Sequence, residues 1–156
     1  MKFTAILSLL LPAVAVNAAL GINCRGSAKC SGLWGPDNVA NNLKKSIDGI
    51  DTNRWYYNGE HIACVSNQAG NGGGYCAFLQ GTGGTNGGKI KELAHYIPDH
   101  GFVPQYDPVW TLLTLIRCKM CGSVPYFYPG DNNVEHGQLT FNYVDNPCNT
   151  AGTTLC

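Results

Sequence analysis

Cysteine is the residue type with the clearest chemical consequence in this chain. The eight cysteines are Cys24, Cys30, Cys64, Cys76, Cys118, Cys121, Cys148 and Cys156. An even set of this size is typical of a disulfide framework in an exported protein. The spacing of Cys118 and Cys121 also suits a pair of zinc ligands, but Cys24 and Cys30 are too widely spaced to supply the second pair. We therefore expect four disulfides and no metal, and the spacing alone leaves their pairing open.

Other residues with catalytic potential form no recognisable site. The four histidines are His61, His95, His100 and His136, and none of them has the helical spacing of a zinc protease. The chain contains no Gly-x-Ser-x-Gly motif, and cysteines in disulfides are not nucleophiles. Ten acidic residues offer material for a glycosidase pair, but no local motif selects two of them. We therefore predict no enzyme, no catalytic residue and no cofactor, with a small hydrolase as the least supported alternative.

The first 18 residues have the pattern of a secretory signal peptide. Lys2 supplies the positive charge, an apolar run extends from Ala5 to Val16, and small residues precede the expected cleavage after Ala18. The apolar run is shorter than the roughly 20 residues of a membrane span. We expect a signal peptide over residues 1–18, a single domain over residues 19–156, and a secreted, extracellular protein without a membrane span.

Charge and composition narrow the possible partners of the mature chain. Removal of Lys2 with the leader leaves nine basic and ten acidic residues, and a nearly neutral surface argues against nucleic-acid binding. Charged residues make up only 13% of the chain, and 20 residues are glycine. This composition favours a crosslinked domain of strands and turns, which we expect to be a monomer.

Apolar periodicity predicts three helices. The first contains Val39, Leu43, Ile47 and Ile50 at near-helical spacing, with Gly49 as its end. The second presents Ile90, Leu93 and Ile97 on one side and is ended by Pro98. The third begins after Asp107 and Pro108, and its apolar stripe consists of Val109, Leu112, Leu113 and Ile116.

Strand patterns lie between and after these helices. Residues 54–57 and 61–65 flank Asn58 and Gly59, a pair that predicts a β-hairpin. Residues 75–79 form a short apolar strand, and residues 138–144 alternate between apolar and polar types. The sequence therefore predicts an α+β domain with a mainly antiparallel sheet. In the aromatic run 55–57, alternation leaves at least one ring outside, either as a binding surface or as an ordinary surface aromatic.

Two stretches of the chain resemble a known family. Residues 20–30 (LGINCRGSAKC) are similar to the mature start of the killer toxins encoded by viruses of smut fungi, the KP-four family. Residues 118–123 (CKMCGS), residues 137–144 (GQLTFNYV) and Cys148 are similar to the C-terminal third of that family. The resemblance implies a two-layer α/β sandwich, in which two antiparallel helices cover one face of an antiparallel sheet.

The same resemblance implies a disulfide pairing. It joins Cys24 to Cys118 and Cys30 to Cys121, which ties the N-terminal segment to the Cys-x-x-Cys segment. It also joins Cys64 to Cys148 and leaves Cys76 for Cys156. Each bond of this kind stabilises a fold by about 2–5 kcal/mol, mainly because it restricts the unfolded chain.

For function, the resemblance implies growth inhibition of competing fungi or other target cells. In the smut toxin this inhibition is a block of calcium channels without enzymatic action, so the implied partner is a membrane protein of the target cell. The functional lysine of the family precedes the cysteine matching Cys64 by two residues, and this chain has Ile62 there. The neighbouring basic cluster is reduced to His61. A channel blocker normally presents cations to an acidic pore mouth, so the loss of these positive charges argues against carrying the calcium-channel target over to this chain.

The candidate target-binding residues are Lys44, Lys45, Arg54, Trp55 and His61. Of these residues, Lys44, Lys45 and Arg54 can form a basic patch different from that of the family, although charges on a helix face are often only solvated. The alternative function is that of a secreted effector or cell-wall binding module on the same scaffold, without channel block. Its partner is a cell-wall component, and Trp55 is the residue that would carry the binding.

A second departure from the family is the stretch from Phe102 to Arg117. In the family, the segment equivalent to residues 99–101 runs almost directly into the Cys-x-x-Cys pair. The 16 additional residues are either a real third helix or a short translated intron, since 48 nucleotides keep the reading frame. The transcript sequence distinguishes the two.

Overall fold

The main sheet of the protein has five antiparallel strands. A computed structural model describes residues 20–31, 38–67, 72–100, 118–148 and 153–156. The strands are β1 (Trp55–Tyr56), β2 (Ala63–Ser66), β3 (Gly74–Gln80), β4 (Thr85–Asn86), β5 (Gly122–Pro125), β6 (Gln138–Val144) and β7 (Thr153–Leu155). The order in the five-stranded sheet is β5-β6-β3-β2-β7, and β1 pairs with β4 in a separate two-stranded ribbon. The predicted strands at 75–79 and 138–144 are confirmed as β3 and β6.

Within the described ranges, three α-helices form the second layer. They are α1 (Val39–Asp48), α2 (Gly87–Ala94) and α3 (Tyr96–Asp99). Helix α1 packs on β2, β3 and β7, α2 packs on β6, and α3 packs on β5, while the helices also contact one another. This arrangement confirms the predicted α+β fold. Among the described residues, no helix has the length and apolar character needed to cross a bilayer.

The ends of α1 follow from its sequence. Val39, Leu43 and Ile47 recur every four residues and are fully buried against the sheet. Burial of each such side chain contributes about 1.5–3 kcal/mol. The backbone N–H of Gly49 donates to the carbonyl of Ser46 and caps the helix at the predicted end.

The second helical segment differs in detail from the prediction. Helix α2 is capped by Asn86, whose side chain accepts a hydrogen bond from the backbone N–H of Lys89. A turn at His95 separates α2 from α3, and Pro98 lies inside α3 rather than ending the helix. Proline is tolerated there because the first turn of a helix leaves its backbone N–H groups without partners. The predicted third helix and the stretch 102–117 lie outside the described residues, as does the expected signal peptide.

The predicted β-hairpin around Asn58 and Gly59 is wrong. Strand β1 pairs with β4, whereas β2 pairs with β3 and β7. The physical reason is that the turn is held by other groups. The carboxylate of Glu60 accepts the N–H of Tyr57, and the N–H of Gly59 donates to the carbonyl of Leu79 at the end of β3. The turn therefore lies across the end of β3 and directs β2 into the main sheet.

Two disulfides fasten the N-terminal segment to the start of β5. They join Cys24 to Cys118 and Cys30 to Cys121, which are the pairs that the family resemblance implies. Between them, Asn23 and Ser123 exchange two backbone hydrogen bonds of 3.0 and 2.8 Å. The N-terminal segment is thus held to the sheet by covalent bonds and by backbone pairing.

The other two disulfides differ from the expected pairing. The structure joins Cys64 to Cys76 and Cys148 to Cys156, so the expected pairs Cys64–Cys148 and Cys76–Cys156 are not formed. The register of β2 and β3 explains the first pair, because Cys64 lies directly opposite Cys76 with 4.1 Å between their Cα atoms. The Sγ atoms of Cys148 and Cys156 lie 3.4 and 3.8 Å from the Sγ of Cys64. All four sulfur atoms therefore belong to one cluster.

Candidate functional site

The β1–β4 ribbon separates an inner and an outer face. Trp55 lies opposite Asn86, and Tyr56 lies opposite Thr85. Tyr56 and Thr85 are buried, and the hydroxyl of Tyr126 donates to the hydroxyl of Thr85 over 3.0 Å. Because directly opposed residues share a face of an antiparallel pair, Trp55 and Asn86 lie together on the outer face. The prediction that at least one ring of residues 55–57 lies outside is confirmed, since half of the surface of Trp55 is accessible.

Arg54 is fixed beside Trp55 by an ion pair and a ring contact. Its Nη2 lies 2.6 Å from Oε1 of Glu60, and its guanidinium carbon lies 4.4 Å from the ring centroid of Tyr56. The other carboxylate oxygen of Glu60 accepts the N–H of Tyr57 over 2.9 Å. Burial raises the pKa of Tyr56 above its ordinary value. The charge of Arg54 is therefore balanced locally and is not a free cation for an acidic target.

Trp55 rests on the glycine-rich loop that precedes β4. A Cβ atom added at Gly84 would lie 2.7 Å from Nε1 of Trp55, and Gly84 has a φ of +104°. Both the contact and the backbone conformation require glycine at this position. The N–H of Gly84 donates to the hydroxyl of Thr82, and that of Thr82 to the side chain of Asn58. Part of the indole is thus held against a defined loop, and the remainder is open to solvent.

Lys44 and Lys45 lie elsewhere, on helix α1. Lys44 forms an ion pair with Asp48 one turn later at 2.8 Å, and Lys45 is exposed. Within the described ranges, no hydrogen bond, ion pair or ring contact joins either lysine to Arg54 or Trp55. The structure therefore does not assemble the predicted cations into one patch.

His61 follows the ribbon but is directed toward the sheet. Its ring is half-buried, with its centroid 6.2 Å from that of Phe78. Ligand atoms of His61, Cys64 and Cys148 lie within 4.8 Å of one another. Both cysteines are in disulfides, and the thiolate is the metal-binding form of cysteine. The oxidised protein therefore offers no thiolate ligand at this position.

Ile62 is a core residue. Its side chain is fully buried, its N–H donates to the carbonyl of Ala77, and its own carbonyl accepts the N–H of Cys156. This position, where the resemblance places the functional lysine of the family, thus contributes apolar packing and no surface charge.

The sequence did not identify several residues that shape the outer face. Tyr57 is 65% exposed, and Asn58, Asn86 and Gly84 surround the two open rings. The adjacent aromatic residues signalled that one ring is outside. No sequence pattern signalled that Asn86 lies beside Trp55, because that contact depends on a pairing between strands distant in the chain.

A second surface feature lies at the two N-terminal disulfides. A shallow pocket of about 150 Å³ is lined by Cys24, Cys30, Cys118, Lys119, Met120 and Cys121. Its sulfur atoms are all in disulfides. Nearby, Lys29 contacts the ring of Tyr143, and a hydrogen bond to Asp145 raises the pKa of this lysine. This end of the protein is therefore a packed and crosslinked structure rather than a reactive site.

Comparison with known proteins places the chain in a family. The family model described as Kp4 matches residues 7–145. Among curated proteins, the chain is similar to the KP4 killer toxin of the Ustilago maydis P4 virus, with 34% identity over 129 residues. The match covers 81% of this chain and 82% of the toxin. The two-layer α+β fold with four disulfides and the extent of these matches lead to one conclusion: the chain belongs to the Kp4 family.

Proposed function

We propose that this protein is a secreted killer toxin that inhibits the growth of competing fungal or other target cells. The observation that carries the proposal is the match to the Kp4 family over most of the chain. The similarity to a protein named as a killer toxin supports the same function. The proposed action is noncovalent binding to the target, without a catalytic step.

Secretion is part of the proposal. Four disulfides are stable in an oxidising compartment, and the signal-like pattern of residues 1–18 provides a route to it. Two of the disulfides link positions more than ninety residues apart. They are therefore suited to keeping the fold intact outside the cell, where no chaperone restores it.

The target is a membrane protein at the surface of the sensitive cell, and a calcium channel is the specific form of this proposal. A contact with an acidic pore mouth needs a free cation. Ile62 is buried and Arg54 is paired with Glu60. On α1, Lys44 is paired with Asp48, whereas Lys45 is exposed and forms no ion pair within the described residues. Lys45, with its neighbour Lys44, is therefore the place to test for channel contact.

The experiment applies purified, oxidised mature protein to a panel of fungal and plant cells, with and without added calcium. We expect growth inhibition of at least one species, relieved by calcium. Absence of an effect on every species contradicts the toxin function. Inhibition that is unchanged by added calcium supports the toxin function and contradicts a calcium channel as the target.

A matched pair of variants tests the helix lysines. Lys44→Gln/Lys45→Gln removes two positive charges from α1, and Lys89→Gln/Lys91→Gln removes two from α2. The two variants have the same net charge because each loses two lysines. They are also matched in that each pair includes one lysine in an ion pair on its own helix. Loss of potency only in the α1 variant supports contact through α1, and equal potency of the two variants excludes it.

A further inference from the structure

Two exposed aromatic rings and two exposed amide side chains belong to the β1–β4 ribbon and to the two residues that follow β1. We call the surface formed by Trp55, Tyr57, Asn58 and Asn86 the aromatic shelf. Trp55 and Tyr57 are 50% and 65% exposed, whereas Tyr56 between them is buried. Tyr57 directly follows β1, and the alternation of exposed, buried and exposed side chains over residues 55–57 indicates that the two open rings share one side of the chain.

We propose that the aromatic shelf binds a neutral polysaccharide of β-linked pyranose units, the chemical class of chitin and β-glucan. The axial C–H groups of a β-linked pyranose form a flat, weakly positive face. An aromatic ring has a negative face, so the two surfaces stack. An extended β-linked chain presents such faces repeatedly, which suits two rings along one extended segment.

The amide groups supply hydrogen bonds beside the rings. Oδ1 of Asn58 accepts the N–H and the hydroxyl of Thr82 at 3.2 and 2.9 Å. Oδ1 of Asn86 accepts the backbone N–H of Lys89 at 3.0 Å. These bonds fix both amides, and within the described part of the chain no hydrogen bond is formed by either Nδ2. Each Nδ2 is therefore a preoriented donor for a sugar hydroxyl.

The rings are also held before any ligand arrives. Trp55 lies against Gly84, and the loop beneath it is tied through Thr82 to Asn58. The backbone N–H of Tyr57 is fixed by Glu60. Less side-chain freedom is lost on binding when the contact groups are already in place.

Local charge favours a neutral ligand over an anionic lipid surface or a charged protein. The nearest cations are balanced, because Arg54 pairs with Glu60 at 2.6 Å and Lys89 pairs with Glu92 at 2.9 Å. Binding to an anionic membrane surface gains most of its strength from free Lys and Arg. The combination of open rings, oriented amides and balanced charge is suited to a polyhydroxylated, uncharged chain.

The proposal rests on the proposed function, since a protein that acts on other cells from outside meets the polysaccharide of their walls first. Retention on the wall would raise the local concentration of the protein next to its target. The shelf thus adds a partner class to the toxin function and needs no catalysis.

The test is a depletion assay with insoluble chitin, insoluble β-glucan and neutral phospholipid vesicles as separate probes. The variants are Trp55→Ala/Tyr57→Ala and, as control, Phe127→Ala. Phe127 is another exposed ring, and it packs on Tyr126, which contacts the inner face of the ribbon. Thermal unfolding and disulfide mapping verify that each variant is folded.

We expect retention of the native protein on at least one polysaccharide and retention at least about tenfold weaker for the double variant. The Phe127 variant should bind like the native protein. Lack of retention on both polysaccharides, binding to vesicles only, or equal retention of the double variant would each overturn the proposal. These outcomes do not depend on toxicity. Conversely, a native protein that is retained on a polysaccharide but inhibits the growth of no cell contradicts only the proposed toxin function.

Discussion

The end of the protein that carries Cys24, Cys30, Cys118 and Cys121 and the β1–β4 ribbon are fixed in different ways. Two disulfides and the backbone exchange between Asn23 and Ser123 hold the disulfide end. The ribbon is held by Glu60 and by a loop that closes under Trp55. Covalent bonds between distant positions mainly limit the unfolded chain, whereas the ribbon depends on native contacts alone.

The two regions also differ in what they present to the outside. The residues by which the sequence resembles the killer-toxin family lie at the disulfide end and in β6. There the sulfur atoms are all in disulfides, and Leu139 and Phe141 of β6 are buried in the core. The open rings of Trp55 and Tyr57 belong to the ribbon and to the residue that follows β1 instead. We infer that the disulfide end provides the scaffold and that recognition of the wall polysaccharide is a property of the ribbon, so changes in the two regions should separate stability from polysaccharide binding.

Removal of both N-terminal disulfides should have the largest effect on stability. In the chain-entropy model, the first bond that closes a loop of more than 90 residues contributes about 4–5 kcal/mol, and the Cys148–Cys156 bond across 8 residues contributes about 2–3 kcal/mol. Because Cys24–Cys118 and Cys30–Cys121 close almost the same loop, both must be removed, and we expect replacement of these four cysteines by alanine to lower the free energy of unfolding more than Cys148→Ala/Cys156→Ala. Urea denaturation measures both values, and equal or reversed effects would show that the disulfide end is not the main constraint.

Placing at position 62 the lysine that the family resemblance implies should destabilise the fold without raising the potency of growth inhibition. Ile62 has no exposed surface, and an ammonium group at a buried position loses its hydration. We expect Ile62→Lys to cost about 3 kcal/mol or more, and the control Ile62→Val to cost about 0.5–1.5 kcal/mol. Urea denaturation and growth assays check this prediction. A stable lysine variant with raised potency would place target contact at position 62, the residue before β2, and contradict this prediction.

Neutralisation of Glu60 should loosen the ribbon and leave the scaffold intact. Its carboxylate is partly exposed and holds both Arg54 and the N–H of Tyr57, so Glu60→Gln should cost about 1 kcal/mol. We expect weaker polysaccharide retention, by a smaller factor than for the double aromatic variant. Glu92→Gln is the control, because it breaks an exposed ion pair on α2 worth about 0.5 kcal/mol or less. Equal retention by both variants would mean that Glu60 does not position the rings.

The smallest effect concerns pH and His136. A hydrogen bond with Asp131 raises the pKa of His136 above 6.5. A raised pKa in the folded state stabilises the fold fully below pH 6.5, and this contribution is lost as the pH rises through the folded value. Both side chains are exposed, so the change is small. NMR titration should give a pKa above 6.5, and Asp131→Asn should move it back toward 6.5; an unchanged value would contradict the pairing.

Local sequence patterns predicted the elements whose residues contact one continuous core. Helix α1 has apolar residues every four positions and a glycine at its end, and both features reappear in the structure. Strand β6 has the alternation expected of a strand with one buried face, and it occupies the predicted residues. The first two disulfide pairs were implied by the family resemblance and not by the spacing of the cysteines.

The features that sequence reasoning missed depend on contacts between distant segments. The Asn58–Gly59 turn has the local preference of a hairpin, but the contacts of Gly59 with Leu79 and of Tyr57 with Glu60 direct the chain elsewhere. The pairing of the four remaining cysteines is another case, because their sulfur atoms cluster and the register of β2 and β3 selects the partner. The aromatic shelf likewise exists only once β4 lies beside β1.

The most direct test of the division between scaffold and ribbon is the potency of growth inhibition by the native protein and by Trp55→Ala/Tyr57→Ala. Both proteins are compared on walled cells and on protoplasts of one sensitive species, after equal thermal stability has been verified. The account predicts that the variant is at least about tenfold less potent on walled cells and equally potent on protoplasts. Equal potency of the two proteins on walled cells would contradict it.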